Sequence, residues 1–351
     1  MRVALLAASL DILGGHATQA RGLVEGLRGE GHDVSFIPIN PPFPAGGRWL
    51  RRYPGLRTAF NQSLYVPSLA RLRRADVVHV FCASYWSFLL GPVPAILTGR
   101  AVRARVILHY HSGEAEDHLA NWGVLVHPWL RMVDEIVVPS VYLRDIFARH
   151  GYRVRVIPNV VDTSCFRYRD RVPLEPRLLS TRNLEPYYRV ETIVEAAALL
   201  AGEYPRLGLT VVGSGSQERI LRELAASLRL DVRFLGRVEP VRMPAVYDGS
   251  DVFVNASVVD NQPVSILEAF AAGLPVVSTR TGDIAAMVRD DETGSTVPAQ
   301  DPAAMAKAIA ALLEDPGRAV QMARNARDEV SRFTWPRVRD QWAAAYLGRA
   351  A

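Results

Sequence analysis

Short apolar runs recur along the chain, each bounded by polar or glycine-rich residues and separated by stretches with apolar positions at helical spacing. Val3 to Ala8 is the first run and predicts a buried strand. Gly14-Gly15 follow, then a helix from about His16 to Arg28 that Gly31 ends, and a second strand at Val34 to Ile37. A strand leading through glycines into a helix is the opening of a doubly wound sheet. The G-x-G-x-x-G spacing of a dinucleotide fingerprint is absent, so on local grounds the glycine pair reads first as a tight turn. Further strands are predicted at Asp76 to Phe81, Arg105 to Tyr110, Ile136 to Pro139 and Val154 to Ile157. Ser84 and Ser140 are placed to cap helices running to about Leu97 and His150.

The pattern then restarts. Strands are predicted at Leu178-Leu179, Leu209 to Val212, Val232 to Leu235, Asp251 to Val254 and Val276-Val277, with helices from Val190 and Gln217 and across 301–350. The fold class is therefore α/β, two doubly wound Rossmann-like domains. At 351 residues, two domains are also the expectation from length. The expected division is 1–165, 166–335 and a last helix at 336–351, with the Pro- and Arg-rich piece Arg167 to Pro176 as linker. Residues 40–75 are the least regular part, ending in a helix into LARLRR.

One stretch concentrates candidate chemistry. Asp260 to Pro275, DNQPVSILEAFAAGLP, puts acids at Asp260 and Glu268 around a predicted helix start, with Pro263 at its first position and Gly273 as its stop. The free N–H groups of such a terminus bind phosphate. Spacing alone fits equally well a surface acid and a helix acid with no shared task. His109 and His111 end the strand at Tyr110, where residues of parallel α/β sheets meet ligands, and two-residue alternation points them the same way. Of the glycines, Gly213 and Gly236 follow strand ends; Gly213-Ser214-Gly215 alone is a weak phosphate signal.

Composition bounds the class. Hydrophobic content of 49 % with 22 % charged residues fits a globular protein with ample core. No apolar run reaches the roughly 18 residues of a membrane span, and a signal peptide is not expected ahead of Val3, so the expected location is cytoplasmic. Cys82 and Cys165 are expected to be buried free thiols in a reducing compartment. The net charge of +5 is uneven: residues 1–160 hold 18 Arg against 11 acids. Between Val34 and Ala75 there are seven Arg and no acid, and Trp49, Leu50, Tyr53, Leu56 and Phe60 interleave with Arg48, Arg51, Arg52 and Arg57. That mixture suits an anionic membrane surface, through residues 46–74, or an anionic acceptor; a solvated loop whose aromatics pack on the core is the plain alternative. No nucleic-acid module is present, so no nucleic-acid partner is expected. No Asp-x-Asp pair occurs, so no metal site is expected.

The acid-x7-acid stretch resembles the motif of the large retaining glycosyltransferase family four, with the GT-B fold, and the tail EAFAAGLPVVSTRTG matches its run. Pro158-Asn159-Val160-Val161-Asp162, with Phe166, resembles the family's Ile-Pro-Asn-x-Val-Asp-x-x-x-Phe, and Phe333-Thr334-Trp335-Pro336 resembles the approach to a last helix that crosses back to the first domain. The resemblance implies two Rossmann-like domains facing a cleft and a nucleoside-diphosphate sugar, UDP- or GDP-type, as donor substrate, with no further cofactor. It implies that Glu268 holds the ribose, that Asp260 and His111 contact the donor sugar, and that backbone N–H groups at Val264 and Ser265 hold the diphosphate. Arg182 matches the family's diphosphate-binding Arg. The Lys that follows it is absent, and Arg189 lies in its region. Gly14 and Gly15 match glycines near the donor phosphates, with His109 beside His111. Gly236-Arg237-Val238 resembles the position that reads the base. The family usually has Glu at Asp260, Gly at Pro263, and Gly-Gly-Ile-Pro where this chain has Gly282-Asp283-Ile284-Ala285.

The expected function is sugar transfer with retention to a hydroxyl acceptor, a glycan or a lipid-linked acceptor of the cell envelope. The rivals are a nucleotide-binding scaffold subunit without transfer activity, a nucleotide-sugar epimerase, and a phosphorylase.

Overall fold

A computed structural model describes residues 1–10 and 14–349, apart from the side chains of Ala45, Gly47, Arg48 and Arg51. The chain divides into two compact units: residues 1–158 together with the C-terminal stretch from Val338, and residues 159–337.

The first unit is built on six parallel strands, β1 (Arg2–Ala7), β2 (Asp33–Pro38), β3 (Val77–Cys82), β4 (Arg105–Tyr110), β5 (Glu135–Val138) and β6 (Arg155–Val156), in the order β2-β1-β3-β4-β5-β6. β3 is buried along its whole length and β1 and β4 nearly so, because helices cover both faces of a parallel sheet. The second unit repeats the plan with β7 (Arg177–Thr181), β8 (Gly208–Val212), β9 (Val232–Gly236), β10 (Val252–Asn255), β11 (Val276–Thr279) and β12 (Ser295–Val297), in the order β12-β11-β10-β7-β8-β9. Strand order reverses between β7 and β10. The loops leaving two such strands diverge, which leaves a crevice at their carboxyl ends.

Several local expectations change. The 40–75 stretch is more regular than its prolines foretold: a 3₁₀ turn at Ala45–Arg52, an α-helix at Pro54–Ser68 that carries Pro67 in its last turn, and a second 3₁₀ turn at Leu69–Arg74. Ser84 caps nothing; its hydroxyl bonds Tyr110 Oη at 3.0 Å, and two short helices, Trp86–Leu90 and Pro92–Ala101, follow. Ser140 does cap its helix, accepting from Leu143 N–H. Cys82 is buried, but Cys165 is exposed, its thiol donating to Asp162 at 3.3 Å.

The predicted linker is not one. Arg171 is 1 % exposed, and its guanidinium donates to the backbone carbonyls of Arg169, Tyr247, Ser250 and Ala272. Arg169 pairs with Asp248 and Asp251. A cation surrounded by carbonyls meets its hydrogen-bonding needs inside the protein, so this strap is sewn to the second unit. The division falls after residue 158 because Val161 and Phe166 already belong to the core of the second unit. The last helix, Trp335–Leu347, returns to the first unit: Arg105 Nε donates to Ala345 O at 2.8 Å, and Arg155 to Arg349 O at 2.6 Å.

Candidate functional site

In the second unit the candidate residues gather where β7 and β10 end. Arg182 leaves β7, and Asp260 lies in the loop after β10. Their side chains form an ion pair and are only 10 % and 12 % exposed. Arg182 Nη1 also reaches Ser265 Oγ at 3.3 Å, and its guanidinium lies 4.1 Å from the centre of the Tyr188 ring. Its Nε is buried with no partner among the described residues. Asp260 Oδ1 accepts from its neighbour Asn261 N–H at 2.9 Å.

The helix between the acids spans Val264–Ala272, so Pro263 caps it from outside rather than opening it. The proline has no side-chain acceptor to offer, and no side chain caps this terminus. Gly273 ends the helix in the left-handed region at φ 76°. Glu268, one turn in and partly exposed, accepts a 2.7 Å hydrogen bond from Tyr247 Oη. The same hydroxyl lies 2.9 Å from Thr181 Oγ1 and 3.2 Å from Ser265 O. Burial pushes the Glu268 carboxyl up to about 7, against the opposing pull of the Tyr247 hydrogen bond and the Arg182 charge.

Two glycines hold this arrangement by close approach. Gly213 at φ 135° presses on the Arg182 carbonyl, and Gly282 at φ 55° presses on the Asp260 carbonyl; a Cβ at either would overlap that oxygen. Gly236 joins them indirectly, its carbonyl accepting from Gly213 N–H at 2.8 Å, while Arg237 Nε donates to Ser214 Oγ at 2.8 Å. Val238 packs on the core. Arg189 takes a left-handed conformation at φ 47° before the helix Val190–Leu200, bonds Glu191 at 3.1 Å, and keeps its Nε buried without a partner among the described residues.

In the first unit, Gly14 and Gly15 open the helix Gly15–Gly29, with open space around both. His109 and His111 are 4 % and 9 % exposed, with ring centres 4.0 Å apart. His16 lies 5.0 Å from His111, and His79 lies 5.2 Å from His109. Burial holds His79 down at about 3 and His109 and His111 well below the usual histidine range, so all three rings are neutral at pH 7. Among the described residues no group of three or more His, Cys, Asp or Glu is arranged to hold a metal ion.

Comparison with known proteins fixes the family. Residues 170–329 match the family described as glycosyl transferases group 1, and residues 13–164 match glycosyltransferase family 4. The chain is 30 % identical to a glycogen synthase of Mycobacterium tuberculosis over 292 residues, 78 % of this chain and 69 % of the relative. The chain is a group 1 glycosyltransferase. It is also 25 % identical to the phosphatidyl-myo-inositol mannosyltransferase of Mycolicibacterium smegmatis over 366 residues, 96 % of this chain and 91 % of that one. Its fold is that of GT-B glycosyltransferase structures. Anabaena HepE, solved with UDP-glucose, superimposes with a TM-score of 0.78 at 18 % identity, covering 99 % of this chain and 100 % of that one. Sucrose-phosphate synthase from Thermosynechococcus elongatus gives 0.78 at 22 % identity, covering 99 % and 98 %.

Sequence reasoning overlooked several residues of this glycosyltransferase. Tyr247 links Thr181, Ser265 and Glu268 from a helix whose sequence, MPAVYD, carries no motif. Tyr188 under Arg182 was legible only as one of two adjacent tyrosines. His79 had a usable signal: it is the one polar residue in the strand VVHVFC.

Proposed function

We propose that this glycosyltransferase moves a sugar from a nucleoside-diphosphate sugar, UDP- or GDP-type, to a hydroxyl acceptor with retention at the anomeric carbon and without a metal. The observation that carries the reading is the Arg182 guanidinium. It is held by Asp260 and Tyr188 at the terminus of Val264–Ala272 that no described side chain caps, with one buried N–H that has no acceptor among the described residues. A fixed cation beside a helix N-terminus is pre-organised for a departing diphosphate. In the proposed step the bond from the anomeric carbon to the diphosphate oxygen breaks and the diphosphate keeps its electron pair. The acceptor oxygen bonds to that carbon and its proton passes to a diphosphate oxygen. Arg182, Arg189 and the N–H groups of Val264 and Ser265 receive the diphosphate. Glu268 accepts from the ribose hydroxyls, Asp260 and His111 position the sugar, and the Gly236-Arg237-Val238 backbone contacts the base.

The acceptor side is proposed as a glycan or a lipid-linked acceptor. Trp49, Tyr53 and Leu56 are 58 %, 54 % and 53 % exposed, on a segment with seven arginines and no acid. Such a surface suits a peripheral contact with anionic lipid through residues 46–74. No helix among the described residues is long and apolar enough to cross a membrane.

Thermal shift against UDP, GDP, ADP and their sugars, with and without magnesium, tests the donor reading. One nucleotide is expected to raise the melting temperature by several degrees whether magnesium is present or not, since ligand at about 100 times its dissociation constant adds roughly 2.7 kcal/mol. No shift with any nucleotide would sink the donor reading.

A further inference from the structure

The Tyr346 hydroxyl lies 2.8 Å from His79 Nδ1, and His79 Nε2 lies 3.2 Å from His109 Nδ1. All three side chains are buried, and Trp342 packs against both imidazoles at 5.0 and 4.9 Å. Beyond them, His109 Nε2 and His111 Nε2 are buried with no partner among the described residues. A buried polar atom without a partner is costly unless a ligand or water supplies one.

The order of donors in this chain follows from simple chemistry. Each neutral ring carries one N–H. A phenol is a far better donor than a neutral imidazole N–H, and an imidazole nitrogen is the better acceptor, so Tyr346 O–H donates to His79 Nδ1. The reverse arrangement would leave the Tyr346 proton in a buried site with no acceptor among the described residues. The His79 proton therefore sits on Nε2 and is given to His109 Nδ1, which places the His109 proton on Nε2.

We propose that Tyr346 and His79 are positioning residues that lock His109 as an Nε2–H donor, aimed at an uncharged hydroxyl or ring oxygen of the bound sugar or acceptor. The inference rests on the proposed role of this strand end in sugar handling. A neutral donor discriminates geometry without attracting anions, so it suits a hydroxyl rather than a phosphate. It also gives the returning helix Trp335–Leu347 a task in the site.

Ring-15N-labelled histidine in the ligand-free protein reads the tautomers directly, with signals assigned through His79→Gln and His109→Gln. At pH 7.5 both rings are expected neutral and protonated on Nε2. A cationic His109, or one protonated on Nδ1, overturns the proposal. Kinetics supply the second arm. H109F removes the donor, and kcat is expected to fall by about 10- to 100-fold with the nucleotide thermal shift unchanged. H109Q keeps a side-chain N–H and is expected to recover most of that loss. Equal losses in the two variants would mean that the ring only packs. Failure of the donor reading would show separately, as the absence of any nucleotide shift in the unmutated protein.

Discussion

In the second unit, titratable groups are paired: the buried Arg182 lies against Asp260 and Tyr188, and the partly exposed Glu268 against Tyr247. In the first unit, buried titratable groups are kept uncharged: His79, His109 and His111 form a neutral cluster closed by Tyr346 and Trp342. Arg182 and Asp260 follow the ends of β7 and β10, and His109 and His111 lie at the end of β4, with His79 earlier in β3. Under the proposed function the two solutions suit different ligands. A paired cation answers a group whose negative charge grows as it departs, whereas neutral imidazoles answer hydroxyls that must be oriented and never carry full charge. They also respond to acid with opposite sign, which gives the comparison its sharpest tests.

The largest expected effect is acid sensitivity of the histidine cluster. His79 is held at about 3 by burial, against 6.5 in the unfolded chain. Its depressed value contributes stability that is present above pH 6.5 and lost as pH falls toward 3. For His79 this costs at most roughly 1.4 kcal/mol per pH unit in that window, and burial pushes His109 and His111 in the same direction. Three rings together should lower the melting temperature steeply between pH 7 and pH 5. A flat profile across that range would mean that these rings gain no protons on unfolding.

Arg182→Ala comes next. Removing a fixed cation aimed at developing charge costs about 10²–10³ in turnover. It also strands the Asp260 carboxylate, so some stability goes with it. Retention of turnover with loss of acceptor affinity alone would break the assignment. Smaller again is Gly282→Ala, which must hold φ 55° and displace the Asp260 carbonyl. A loss of roughly 1–3 kcal/mol in stability is expected, with a weaker nucleotide shift. Gly202→Ala, where a Cβ meets nothing within 4 Å, is the matched control. Equal behaviour of the two would remove the argument from close approach.

Repeated alternation of apolar runs and helical spacing made both doubly wound sheets legible, because a parallel strand buried on both faces must read as an apolar run. The acid pair and Arg182 were legible as separate positions. Their ion pair was not, since it joins residues 78 apart through the loops of two strands. The strap at Arg171 shows the limit most plainly. An arginine among prolines reads as a linker until its partners are known, and three of them, Tyr247, Ser250 and Ala272, come from 76 to 101 residues away. The relay through His79 crosses 267 residues to Tyr346, and only the misfit of a histidine in an apolar strand hinted at it.

Glu268→Gln carries the smallest effect and separates the two units most directly. The Glu268 carboxyl is raised to about 7, against 4.5 for an ordinary glutamate. A raised acid contributes stability that is fully present below pH 4.5 and lost as pH climbs to 7, opposite to the histidines. The 2.5-unit difference corresponds to about 3 kcal/mol at most, and partial exposure of the side chain reduces it to about 1–2 kcal/mol. The glutamine variant lacks this loss, so it should match the parent near pH 5 and melt higher at pH 8. Parallel curves would mean that Glu268 does not titrate in this window. With nucleotide bound, ribose hydroxyls donating to the carboxylate favour its charged form. Nucleotide affinity of the parent should therefore rise between pH 6 and pH 8, and that rise should vanish in the glutamine variant if the ribose is what Glu268 holds.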